Sequence, residues 1–113
     1  QTCALPIYKL KKGADIEKFK KWSREVDRKA SLNTPVITKF DVYFIEGSQD
    51  DSNMFDVIEV FEVTSWQEFR IFEDENVEGS EEMKEVNKQF MEWVEPGSLV
   101  TLYGENLYKD FYK

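Results

Sequence analysis

Apolar residues recur along the chain with two different periods, and the changes of period divide it into elements. In residues 15–30, DIEKFKKWSREVDRKA, the residues Ile16, Phe19, Trp22, Val26 and Ala30 fall at spacings of three and four. That period places them on one face of a helix. Asp15 stands where an N-cap is needed, because a short carboxylate accepts a hydrogen bond from a first-turn N–H. Residues 36–47 (VITKFDVYFIEG) and 54–63 (MFDVIEVFEV) are instead rich in β-branched and aromatic side chains, the composition of strands. The short polar segment between them, GSQDDSN, predicts an antiparallel hairpin.

The remaining segments complete the pattern. Residues 3–10, CALPIYKL, read as a short strand in which Pro6 suits an edge or an irregularity, since it donates no ladder hydrogen bond. Thr64 or Ser65 caps a helix over SWQEFRIF, with Trp66, Phe69 and Phe72 on one side. EDENVEGS is expected to interrupt it, with the break at Gly79, and a second helix begins near Ser80. That helix carries Met83, Val86, Phe90 and Val94 and stops at Pro96-Gly97. Residues 98–108 form a last strand, and KDFYK is a tail. The order is βαββαβ in one domain spanning residues 1–113, an α+β ferredoxin-like sandwich with an antiparallel sheet.

Splitting the two hairpin strands by alternation leaves neither with a polar side. Phe40, Val42 and Phe44 oppose Ile37, Tyr43 and Ile45; Phe55, Val57, Phe61 and Val63 oppose Met54, Ile58 and Val60. Helices cover only one side of such a sheet, so the other side is expected to pair with a second copy of the chain.

Composition then removes whole classes of chemistry. The 113 residues contain no His and one cysteine, Cys3. Catalysis by a Ser-His-Asp or Cys-His set, His-based zinc binding and an intrachain disulfide are therefore excluded. No metal site and no cofactor is expected; the acidic stretch from Glu73 to Glu85 lacks fixed ligand spacing, and the glycines form no phosphate-binding pattern. The net charge of −8 argues against nucleic acid, and no apolar run approaches the length of a membrane helix. A cytoplasmic location is expected. The charge is also unevenly distributed: residues 9–29 carry nine basic and four acidic groups, whereas residues 73–85 carry seven acidic and one basic.

Within this frame Glu59 stands out, a carboxylate between Val57 and Phe61 on an otherwise apolar strand face. Buried without a cation, its pKa rises, which suits a general acid or base near neutrality. A hydrogen bond to a group on a neighbouring strand, pairing with Lys39 or Arg70, or a place on an exposed edge, is the ordinary alternative. Asp41 is a second candidate for proton transfer, sharing a strand face with Tyr43 and Lys39, although such a trio is commonly a hydrated surface. Tyr43, Tyr103, Phe61 and Trp22 are candidate contacts for a flat, hydrophobic or aromatic ligand. Trp22 also falls on the apolar helical stripe, where core residues lie. Tyr8 offers a hydroxyl from the first strand, and Asp27 with Arg28 lies beside the helical stripe, within reach of a sheet–helix junction or simply on the surface.

Four segments, WSREVDRKA, FDVYFIEG, DVIEVFEVTSWQEFR and LVTLYGENL, resemble the RedY-like (HapK-like) family of the dimeric α/β-barrel superfamily. The resemblance runs from about Leu5 to Leu107. It implies a homodimer built by pairing sheets. It also implies a cofactor-independent enzyme or pathway protein of secondary metabolism acting on a pyrrole- or indole-like intermediate, as in prodigiosin biosynthesis. The alternatives are a non-catalytic accessory protein that binds and shields a reactive intermediate, and a cofactor-free monooxygenase. The absence of His sets the chain apart from superfamily members that use a His base.

Overall fold

A computed structural model describes residues 2–78 and 81–108. Four strands, β1 (Thr2–Tyr8), β2 (Ile37–Phe44), β3 (Val57–Val63) and β4 (Val100–Glu105), form one antiparallel sheet in the order β2-β3-β1-β4. One side is covered by helices. These are α1 (Ile16–Trp22), a π-helical turn (Ser23–Asp27), α2 (Arg28–Ser31), α3 (Trp66–Glu78) and α4 (Glu81–Trp93). This is the expected α+β ferredoxin-like arrangement. The strands are shorter than the apolar runs that predict them, because the run ends serve other contacts. Leu10, for example, makes an isolated bridge to Val94, and its N–H donates to Asp56 Oδ2 at 2.8 Å.

Both caps form. Asp15 accepts from the Lys18 N–H at 3.1 Å, and Ser65 Oγ accepts from the Glu68 N–H at 3.0 Å. The helix after Ser65 does not stop at EDENVE but continues to Glu78. Its acidic residues are compatible with a helix and needed only a solvent face. The expected break at Gly79, the start at Ser80 and the tail KDFYK lie outside the described residues.

Three departures from the sequence pattern shape the interior. First, β1 is a central strand despite Pro6. Its register to β3 pairs Ala4 with Phe61, then resumes at Ile7 with Ile58, so the missing Pro6 N–H falls in the gap. Second, an irregularity between Ile37 and Lys39 shifts the alternation of β2, bringing Ile37 to the helix side with Phe40. Third, the π-helical turn inserts one residue into the helical period after Trp22. Val26 is thereby turned toward solvent, and Ser23, Asp27, Ala30 and Ser31 are turned inward.

The core beneath the helices has two parts. Ala4, Ile37, Phe40, Phe61, Val63 and Phe69 form one; Tyr8, Leu10, Phe19, Val57 and Val94 form the other. The Phe40 and Phe61 rings stack at 4.3 Å across β2 and β3. The first helical region packs against α4, yet among the described residues the lysine and arginine ion pairs lie within single elements, such as Lys20–Glu17 and Lys84–Glu81. Contacts such as the Trp22 indole N–H donating to Gln89 Oε1 at 2.6 Å join the helices instead.

The π-helical turn makes a measurable prediction. Phe40→Ala, which opens the buried stack, is expected to lower stability in urea by about 3–5 kcal/mol. Val26→Ala, at a position on the sequence stripe but exposed in the fold, is expected to change it by no more than about 0.5 kcal/mol.

Candidate functional site

On β3, alternation sends Val57, Glu59, Phe61 and Val63 to the helix side, where all four are buried. Glu59 falls between the two halves of the core, with Val57 in one and Phe61 in the other. Its neighbour across β2 is Val42, and the register on either side sets Pro6 opposite it on β1. Neither is polar. The partner comes from the diagonal position: Tyr8, fully buried, reaches back along β1, and its phenol O–H donates to Glu59 Oε2 at 2.5 Å. No Lys or Arg pairs with Glu59 among the described residues. Lys39 instead pairs with Asp41 at 3.6 Å, and Arg70 with Glu73 at 3.8 Å.

A second carboxyl group faces the same space. The π-helical turn carries Asp27 inward to 8% exposure, against 4% for Glu59. Ser31 Oγ, one turn later, donates to Asp27 Oδ1 at 3.3 Å. Asp27, Ser31 and Glu59 line a cavity of about 110 Å³ between sheet and helices. Its remaining walls are largely apolar, with Pro6, Phe61, Phe69 and Phe90 among them, and Asn87 and Thr101 add polar atoms. A depression of about 280 Å³ shares Phe72, Glu73, Met83, Asn87, Phe90 and Leu99 with the cavity, giving it an opening between α3 and α4. Among the described residues, no group of three Cys, Asp or Glu side chains is arranged to hold a metal ion.

Burial sets the ionisation of the site. Loss of solvation pushes Asp27 up to about 6, partly opposed by the Ser31 hydrogen bond. Loss of solvation also pushes Glu59 up, to about 8; the Asp27 charge adds to the rise and the Tyr8 hydrogen bond opposes it. The sequence of ionisation explains why the charge acts in one direction. Asp27 loses its proton while Glu59 is still neutral, and the resulting anion then delays Glu59. Burial, followed by the charge of Glu59, raises Tyr8, which therefore stays a donor. At neutral pH the cavity presents a carboxylic acid at Glu59 beside a carboxylate at Asp27. Two carboxyl groups held apart in this way can divide acid and base roles.

The sequence-predicted candidates separate cleanly by position. Glu59 and Phe61 line the cavity. Asp41 and Tyr43 do not reach it: they stand on the uncovered side of β2, where Tyr43 is 58% exposed and Asp41 is held by Lys39. Tyr103 lies on the helix side but at the outer strand, stacked on Trp66 at 4.2 Å. Trp22 sits behind the cavity wall, stacked on Phe90. Tyr8 and Asp27 are the two polar groups that the leading candidates omit. Tyr8 is legible as a phenol on an apolar strand face and Asp27 as a residue beside the helical stripe within reach of the sheet–helix junction; the π-helical turn is what carries Asp27 fully inward.

The family described as REDY-like protein HapK matches residues 2–107. Among solved structures, HapK from Hahella chejuensis superposes with a TM-score of 0.71 at 21% identity, covering 95% of this chain and 93% of that one. A hydroxynitrile lyase from Passiflora edulis gives 0.67 at 12% identity, covering 94% of each chain. A dimeric protein of unknown function with a ferredoxin-like fold, from Bacteroides fragilis, gives 0.61 at 14% identity, covering 93% of this chain and 95% of that one. At these identities the structural likenesses establish the fold. No curated protein matches the sequence significantly.

The raised carboxyl groups fix the sign of a pH effect. The folded chain holds protons on Asp27 and Glu59 that the unfolded chain releases from 3.8 and 4.5 upward. Their stabilisation is complete at lower pH and is lost as pH rises through about 6 and about 8. Between pH 5 and 8, denaturant-measured stability is expected to fall more steeply in the wild type than in Glu59→Gln, by about 1–3 kcal/mol. A Glu59 carboxyl titrating by NMR near the ordinary ~4.3 overturns the assignment.

Proposed function

The chain belongs to the REDY-like protein HapK family, and on that premise we propose that it is a biosynthetic-pathway enzyme that moves a proton on a small aromatic, pyrrole- or indole-like intermediate. One observation carries the proposal: a buried carboxyl group at Glu59, held by the Tyr8 hydroxyl and with its pKa pushed up by burial, lines an aromatic-walled cavity that opens toward solvent. Glu59 is the acid, Tyr8 fixes its orientation through Oε2, and Phe61 supplies part of the apolar wall. The chemistry asks for no redox partner: Glu59 gives a proton to a ring carbon, and the carboxylate left behind takes one away. Prodigiosin-type antibiotic biosynthesis is the setting that the family likeness suggests, and a cytoplasmic location accompanies it.

A homodimer belongs to the same proposal. Leu5, Ile7, Ile58, Val60 and Leu102 bring apolar side chains to the side of the sheet away from the helices. Twofold pairing buries such a patch against itself. The relative from Bacteroides fragilis is described as dimeric. Light scattering is expected to give twice the mass of one chain, and Val60→Glu to halve it; a wild-type monomer at micromolar concentration contradicts the dimer.

Catalysis and shielding are separated by hydrogen exchange. With 2-methylpyrrole in D₂O, the wild-type protein is expected to speed deuteration of the ring carbons, read by NMR. Glu59→Gln is expected to slow it about 10²–10⁴-fold while leaving binding in place. The rate is expected to fall as pH rises through about 8, where Glu59 loses its proton. Binding without any acceleration favours the accessory role of shielding a reactive intermediate.

A further inference from the structure

The charge of the cavity walls narrows the ligand further. Three carboxyl-bearing residues, Asp27, Glu59 and Glu73, line the cavity, and no Lys or Arg does so among the described residues. Glu73 stands at the opening and is already paired with Arg70, which lines an outer depression rather than the cavity. Glu59 is held by Tyr8. Asp27 is different. It is more than nine-tenths buried, and its described hydrogen bond uses only Oδ1 and a neutral serine. An ionised carboxylate in that position is short of donors, since a carboxylate accepts several hydrogen bonds and gains most from a cationic donor.

We infer that Asp27 is the specificity-determining residue of the cavity and that it selects ligands bearing a protonated nitrogen, against neutral and anionic analogues of the same shape. The inference rests on the proposed ligand-binding role of the cavity and assigns its substrate class: an aromatic ring that carries a cationic nitrogen. Two carboxyl groups then have separate tasks, Asp27 pairing with the nitrogen and Glu59 keeping its proton for the ring. A ligand carboxylate or phosphate is rejected because it meets three carboxyl-bearing residues and, among the described residues, no compensating cation.

Affinity for such a cation depends on pH through Asp27. The titratable groups around it are Tyr8 from β1 and Glu59 from β3, with Glu73 of α3 on the same cavity. The sides formed by α4 and β4 contribute Asn87 and Thr101, which do not titrate, and α2 contributes Ser31. Binding therefore strengthens as pH rises through about 6, where Asp27 ionises.

Three probes with one ring test the assignment: 2-(aminomethyl)pyrrole, 2-methylpyrrole and pyrrole-2-carboxylate, measured by calorimetry on the intact chain. The amine is expected to bind at least about tenfold tighter than the methyl compound at pH 7.5, and the carboxylate weaker than either. Asp27→Asn is expected to erase the preference for the amine by weakening its binding at least about tenfold, to the level of 2-methylpyrrole. Glu59→Gln is expected to keep the preference and lose the deuteration. Equal binding of the three probes overturns the selectivity and leaves the ligand-binding role standing; failure of all three to bind overturns both. A preference that survives Asp27→Asn and disappears in Glu73→Gln also overturns the assignment to Asp27.

Discussion

A carboxylic acid in the middle of the sheet, held by one phenol and, among the described residues, by no cation, is the interaction around which the interior is arranged. Glu59 occupies a β3 position that alternation would fill with a hydrophobic residue, and it separates the apolar core into two parts. An ionised carboxylate there would cost several kcal/mol in lost hydration. The fold meets this constraint by keeping the group protonated and by satisfying Oε2 through Tyr8. The neighbouring strands follow from it: Pro6 opposite and Val42 beside offer no charge that would draw the proton away. A cavity instead of a packed side chain next to Glu59 leaves a space that a ligand can enter.

The π-helical turn is the second element of the same arrangement. A regular α-helix through WSREVDRKA would bury Val26 and leave Asp27 at the surface, giving a continuous apolar stripe. One inserted residue exchanges them. The exchange gives up a valine contact with the core and buries a carboxylate that Ser31 satisfies in part. A π turn that exchanges a hydrophobic contact for a half-satisfied acid lining a cavity is of the kind found at functional sites.

Most of the architecture is legible in the sequence because it depends on periodicity. The helical spacing, the Asp15 cap, the hairpin composition and the order of elements all survive in the fold. Glu59 is legible for the same reason, as a charge on an apolar strand face. What escapes the pattern are single-residue changes of register. The irregularity at Ile37–Lys39 moves a side chain across the sheet, and the π turn moves Asp27 into the core; neither carries a compositional signal. Asp41 and Tyr43 have chemistry equal to that of Glu59 and Tyr8 when read as residue types. Only the side of the sheet on which the helices pack distinguishes the pairs, and strand alternation alone does not say which side that is.

The two sides of the sheet therefore have different tasks. The uncovered side presents Leu5, Ile7, Ile58, Val60 and Leu102, apolar groups that suit a flat contact between surfaces. Among its polar members, Lys39 and Asp41 form an ion pair near solvent, where the pair is worth little. The covered side holds the carboxyl groups that solvent does not screen, so a single proton or a single ligand charge there has a large effect. The same residue types thus act differently according to the layer above them. The helices remove water from Glu59 and Asp27, and the depression between α3 and α4 opens the cavity toward solvent past Met83 and Leu99.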